Sequence, residues 1–363
     1  MTRVPYQPPR KTPCKIAFLG EAPGQDEIDQ TGLYTQLAKQ MWPGAGWTGV
    51  ASLDRIIADS LPPLPLVGPS GNLFNAILRA AGIDRLDVWV GNVFEEKAEG
   101  NDVTAWIRDP VLSAAALARL SDDLAAAQPT VVVPMGATAL WAMTEMTNIT
   151  KMRGAPCLAT RVLPGVKLIP TFHPAYVVRQ WKTLPLVIQD VIRAKSEAAK
   201  GPGLEFPKIT LLIEPTKQDL RVWAPILDGS DLLAVDIETG WGQITCVGFA
   251  PDPDRAICVP FFDSRQVHRC FWHTLEEEVY AWEWVKERCE SPTPKVLQNG
   301  VYDAYWLLTA KGIRIINYLH DTRLQHHALY PVLPKDLAFL AAGYAELPAW
   351  KHWADRKGEK RDD

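Results

Sequence analysis

No Cys-x-x-Cys pair occurs anywhere in these 363 residues. The six cysteines (Cys14, Cys157, Cys246, Cys258, Cys270 and Cys289) are scattered. That pattern argues against a zinc finger or a disulfide framework and for the reduced thiols of a cytoplasm. No apolar run reaches the length of a membrane span, and the Pro-rich, basic start at 1–15 has no apolar signal core. Neither a membrane partner nor a secretory route is therefore expected. An excess of basic charge is missing too, since 38 Lys and Arg stand against 42 Asp and Glu, a net of −4. This excludes a global basic field for nucleic acid but leaves room for a local patch: residues 1–200 carry 20 basic against 18 acidic groups, the remainder 18 against 24. Neither Gly-x-Gly-x-x-Gly nor a Walker Lys-Ser/Thr is present, which disfavours a nucleotide-binding metabolic enzyme.

What is present suffices for two domains with separate cores, at an apolar fraction of 47%. KIAFL at 15–19 ends in Gly20 and reads as a buried strand feeding a loop. Helical periodicity follows at 72–81, then a strand at 88–90 ending in Gly91-Asn92. An Ala/Leu-rich helix at 114–127 is closed by Pro129 and followed by a strand at 131–133. A helix at 136–146 and a strand at 166–170 complete the alternation. Such alternation predicts an α/β domain with a largely parallel sheet, whose ligand crevice lies in the loops after the strand C-termini. Residues 33–64 carry two weak helical patterns and read as an insertion. The Lys/Glu/Gly/Pro stretch at 194–207 predicts a linker, giving domains 1–200 and 201–363.

Four segments hold the unusual polar residues of the first domain: Gly20-Glu21-Ala22-Pro23-Gly24-Gln25-Asp26-Glu27, Pro65-Leu66-Val67-Gly68-Pro69-Ser70-Gly71, Val90-Gly91-Asn92-Val93 and Phe172-His173-Pro174. Two carboxylates in a Gly-rich loop repel phosphate. They suit chemistry that develops positive charge, such as the oxocarbenium-like state of glycosidic cleavage. Taken singly, each signal is also ordinary: an Asn after a strand serves as a turn residue, and Glu21 and Glu27 as a solvated loop face. Their joint order is what carries weight.

In that order the segments resemble the uracil-DNA glycosylase superfamily over 15–193, nearest its iron–sulfur (family 4 type) branch. Pro129-Thr130, the run 135–139 and Arg153-Gly154 are supporting pieces. The resemblance implies a three-layer α/β/α domain with a mainly parallel sheet. It implies that Glu21, with Glu27 nearby, orients water and stabilises a cationic sugar, and that Asn92 reads the amide edge of a flipped-out uracil. His173 would hydrogen-bond the uracil oxygen that gains negative charge, and backbone N–H groups between Gly20 and Gly24 would complete the site. The implied partner is DNA, single-stranded or uracil-containing, and this domain needs no metal. Two departures stand out. Leu66 occupies the position where the family stacks an aromatic ring on the base, and Trp42 or Trp47 of the insertion are candidate substitutes, unless the insertion covers the pocket. The family's four cluster cysteines are not matched, because Cys14 and Cys157 are alone in this half, so no iron–sulfur cluster is expected.

In the second half, Asp236 and Glu238 sit two apart on a predicted strand starting at 232, so both face one side, where two hard cations could share them. On its own, Asp-x-Glu is also an ordinary polar strand face. Asn299, Asp303 and Asp321-Thr322 follow. Over 209–363 this order resembles the proofreading 3′–5′ exonuclease domain of family A DNA polymerases, which implies a ribonuclease-H-like α/β fold. By that resemblance Asp236 and Glu238 hold a first Mg²⁺ or Mn²⁺, Asp303 a second, and Asn299 contacts DNA. Asp321-Thr322 matches a structural motif. The family's final Tyr-x-x-x-Asp is not matched: Tyr344 is followed by Glu346 and Pro348, then by a charged tail at 357–363. An incomplete domain with little exonuclease activity is therefore expected. The tandem resembles the N-terminal part of certain bacteriophage polymerases. The expectation is a DNA repair or replication protein of a bacterial or phage-infected cytoplasm, with a polymerase module beyond this chain as a partner. The alternative is a non-catalytic uracil- or DNA-binding module and scaffold.

Overall fold

Short Val/Ile/Leu runs become the inner strands of two sheets, one in each of two compact units divided at Glu205/Phe206. The computed structural model describes residues 2–205, 208–345 and 347. The second unit is Phe206–Leu340, and Ala341 with the described residues after it groups with the first. Part of the expected linker is helix: Leu184–Ala199 buries Val187, Val191, Ala194 and Ala198. Their three- and four-residue spacing makes one helical face, which outweighs the linker-like composition. Glu346, Pro348 and the tail at 357–363 lie outside the described residues.

The first unit has strands β1 (Ile16–Gly20), β2 (Trp89–Asn92), β3 (Val131–Pro134), β4 (Cys157–Leu158) and β5 (Lys167–Leu168), in the order β2-β1-β3-β5-β4. All neighbours are parallel except β4 with β5. Alternate residues of β1 serve opposite faces. Ala17 and Leu19 share a core with Leu120, Leu124, Leu140 and Met143 of helices Pro110–Ala127 and Ala137–Thr144. Phe18 instead packs edge-on against Phe74 of helix Pro69–Ala80, ring centroids 5.1 Å apart. Helices thus cover both faces, as the pattern of a fully buried parallel strand requires. Two of these helices begin earlier than periodicity alone indicates, because Pro69 and Pro110 occupy first-turn positions where the missing N–H costs nothing.

The insertion forms two helices, Tyr34–Met41 and Ala51–Asp59, around a small core of Tyr34, Leu37, Ala38, Ala58, Leu64 and Val67. Buried Asp54 ties it together, accepting from Lys39 Nζ (2.5 Å) and from the N–H and hydroxyl of Thr48 (2.7 and 3.0 Å). The second unit is also α/β, with β6 (Thr210–Leu212), β7 (Leu233–Gly240), β8 (Gln243–Asp252), β9 (Arg255–Pro260), β10 (Lys295–Leu297) and β11 (Tyr318–Asp321). Its order is β11-β10-β7-β8-β9-β6, with β8 antiparallel to both neighbours. All six cysteines are free. No described helix is long and apolar enough to cross a membrane.

Candidate active site

Parallel register sets Gly20 beside Asn92 at the C-terminal ends of β1 and β2. On the other side, Met135 after β3 bridges Thr171, two residues before His173. Three strand ends thereby converge on one point. A Cβ added to Gly20 would lie 2.3 Å from Asn92 Oδ1 and 3.5 Å from His173 Nε2. The missing side chain therefore opens a slot approached by one amide oxygen and one imidazole nitrogen.

His173 caps helix Pro174–Arg179, with Nδ1 accepting from the Ala175 N–H at 3.2 Å. Burial, with the positive charge of Arg179 adding to it, pushes its pKa down to about 4. The ring is neutral at pH 7, and because Nδ1 accepts, the proton sits on Nε2. The slot thus has a neutral N–H donor on one side. Glu21 lines the adjoining cavity of about 580 Å³, its Oε2 accepting from Thr138 Oγ1 at 2.5 Å. That volume suits a small molecule or a single nucleotide unit.

Glu27 lines the cavity and is held by backbone donors. Its Oε2 accepts from the Gly24 N–H (2.9 Å) and its Oε1 from the Leu66 N–H (3.1 Å). Burial raises its pKa. Both carboxylate oxygens are engaged in holding two loops, so Glu27 positions Gly24 and Leu66. Leu66 itself is buried, lines the cavity and has a left-handed φ of 53°. The tryptophans of the insertion do not replace the missing ring. Trp42 and Trp47 pack against the insertion's own core, with Trp47 Nε1 donating to the Trp42 carbonyl at 2.7 Å. Among the described residues, 33–64 contribute nothing to the cavity lining. The aromatic lining comes instead from Phe172 and Tyr176, ring centroids 5.0 Å apart. Phe172 was visible beside His173. Tyr176 carries no signal in the sequence, as it reaches the cavity through the pitch of its helix.

An iron–sulfur cluster normally takes four thiolates. The first unit offers Cys14 and Cys157, both buried, with burial pushing each thiol above its ordinary pKa. These residues do not fit the group.

In the second unit, Asp236 and Glu238 are exposed on one face of β7, and Asp303 is buried at the start of helix Val301–Lys311. Asp303 Oδ1 accepts from the Ile237 N–H at 2.9 Å. Burial first, then the charges of Asp236 and Asp321, raise the Asp303 pKa to about 6. Among the described residues no three His, Cys, Asp or Glu side chains are arranged to hold a metal ion. The expected Mg²⁺ or Mn²⁺ set of Asp236, Glu238 and Asp303 does not appear as such a group, and Asp303 gives its Oδ1 to the strand backbone. Asn299 is tied to Arg323, whose Nη1 donates to its Oδ1 at 2.7 Å. Asp321 is a structural hub, accepting from the Gly300 N–H (3.0 Å), Tyr318 Oη (2.5 Å) and the Arg323 N–H (2.9 Å).

Residues 10–194 match the model of the uracil DNA glycosylase superfamily. A type-4 uracil-DNA glycosylase of Thermotoga maritima is 32% identical over 186 residues, which cover 50% of this chain and 77% of that protein. Looser likenesses join the chain to solved structures. The catalytic core of RRP6 from Trypanosoma brucei has a TM-score of 0.32 at 19% identity, covering 44% of this chain and 42% of that one. RNase D of Escherichia coli has a TM-score of 0.30 at 16% identity, covering 40% and 36%. The chain spans less than half the length of either structure, and at these scores the likeness carries no argument about activity.

Proposed function

The chain belongs to the uracil-DNA glycosylase superfamily, and from that premise we propose that its first unit hydrolyses the N-glycosidic bond of uracil in DNA. The observation that carries this reading is the slot at Gly20, approached by Asn92 Oδ1 and His173 Nε2. The uracil edge presents an N–H between two carbonyl oxygens. Asn92 Oδ1 accepts from that N–H, and the neutral His173 donates from Nε2 to a carbonyl oxygen. As the bond to the sugar breaks, its electron pair leaves with the base and that oxygen gains negative charge. A fixed donor aimed there stabilises the transition state more than the ground state. The sugar meanwhile becomes cationic. Glu21, a carboxylate of the cavity lining, offsets that charge and orients the water that attacks the sugar carbon. No step runs through the second unit or through an iron–sulfur cluster, which Cys14 and Cys157 do not fit.

Leu66 favours a second reading, in which the unit binds uracil without cleaving it, since an aliphatic wall gives up base stacking worth roughly 1–3 kcal/mol per base. One assay separates the two. A single-stranded oligonucleotide with one uracil is incubated without added metal, then treated with alkali to cut abasic sites. Strand scission at the uracil position is the expected result. An intact oligonucleotide at high protein excess would sink the catalytic reading and favour the binding module.

A further inference from the structure

Arg85 is almost fully buried, yet among the described residues no carboxylate accepts a hydrogen bond from it. Its guanidinium donates from Nη2 to the Pro65 carbonyl (2.5 Å) and from Nη1 to the Leu66 carbonyl (2.8 Å) and Asn75 Oδ1 (2.9 Å). Nε donates to Gln7 Oε1 at 3.0 Å, and Gln7 Nε2 returns a bond to the Arg85 carbonyl at 2.9 Å. Gln7 is itself fully buried and held by reciprocal backbone bonds with Val90 of β2, 2.7 and 3.1 Å. Burying a guanidinium without a paired carboxylate is costly, so its placement needs a reason. The reason lies at Leu66, whose left-handed backbone is uncommon for a residue with a side chain. Glu27 takes the Leu66 N–H while Arg85 takes the Leu66 carbonyl. Gly71 leaves room for that carbonyl, since a Cβ there would lie 1.9 Å from it. Burial lowers the Arg85 pKa to about 9, and the charge of Glu27 opposes that shift. The two charges thus face each other across the backbone of one residue.

We infer that Arg85 is a positioning residue for the pocket: with Glu27 it grips the Leu66 backbone from both sides and holds this wall in its left-handed conformation. The inference rests on reading the cavity as the base pocket. Lysine at this position keeps the charge but offers one nitrogen where the guanidinium uses three. Glycine at position 66 adopts positive φ without being held.

Single-turnover rates on the uracil oligonucleotide are measured for wild type, Arg85→Lys, Leu66→Gly and the double variant, together with amide hydrogen exchange over 64–71 and 131–134. Arg85→Lys should slow the step ~10–100-fold with little change in KM, the scale expected of a wall displaced by a fraction of an ångström to 1 Å. Exchange over 64–71 should quicken while 131–134 stays unaltered. In the Leu66→Gly background the same substitution should cost less than ~3-fold, because the grip has nothing left to hold. Equal losses in both backgrounds, unaltered exchange over 64–71, or loosening of 131–134 as well would each overturn the inference. If the wild type cleaves nothing, the catalytic reading fails by itself, and the exchange measurements still decide what Arg85 does.

Discussion

In the first unit Gly20 and Asn92 stand at the ends of parallel strands, and His173 caps the helix that follows β5. In the second, Asp236 and Glu238 lie along β7 and Asp303 comes from a helix packed beside it. Both units bring their motif residues near one another, but they spend the hydrogen-bonding capacity differently. His173 uses Nδ1 to cap its own helix and keeps Nε2 for the slot. Glu27 spends both oxygens on backbone, whereas Glu21 of the cavity lining gives one oxygen to Thr138. Asp303 spends Oδ1 on the Ile237 N–H, and among the described residues no carboxylate set is arranged to hold a cation. The difference teaches that motif order brings residues into a neighbourhood, whereas a site also requires that a polar atom remain unspent and aimed at open space.

The comparison breaks most sharply at His173. Replacing it by Ala should slow uracil release ~100–1000-fold, the cost of removing one charge-stabilising donor. Because its folded pKa is about 4 rather than 6.5, no activity step tied to His173 should occur as pH falls from 8 to 5. Its contribution to stability is complete above pH 6.5 and lost as pH falls toward 4. A wild-type rate that drops near pH 6.5, with the drop absent in His173→Ala, would contradict the neutral-donor assignment.

An intermediate effect is expected in the second unit. Asp303 has a folded pKa of about 6, above its unfolded value, so its ionised form burdens the fold at high pH. Asp303→Asn should stabilise by about 1–2 kcal/mol above pH 6, with the gain vanishing below pH 4. Urea melts at pH 4 and pH 8 measure this, and a loss at pH 8 would mean the carboxylate serves a function its charge is needed for.

The smallest effect sharpens the same contrast. With Mn²⁺ and a 3′-labelled single strand, Asp236→Ala should release nucleotide no differently from the wild type, and Mn²⁺ should move the melting of both equally. Rapid release that disappears in Asp236→Ala would show that the three carboxylates do close on a cation.

The chain by itself determined the alternation of strand and helix, the two helices of the insertion and the α/β class of both units, and it put forward Glu21, Asn92 and His173 as candidates. Those are local patterns: apolar period, turn residues and motif order are written in neighbouring positions. It also made Ala194–Ala199 look like linker, because composition there hides a buried helical face. Only the tertiary structure decided which polar atoms stay free. Leu66 meets Glu27 across 39 residues, Gln7 meets Arg85 across 78, and Ile237 meets Asp303 across 66. It likewise sent Trp42 and Trp47 into the insertion's own core and brought Tyr176 to the cavity in their place. A hydrogen bond is allotted by three-dimensional proximity and must be satisfied wherever burial removes water, so partners chosen across such distances leave no trace in local sequence.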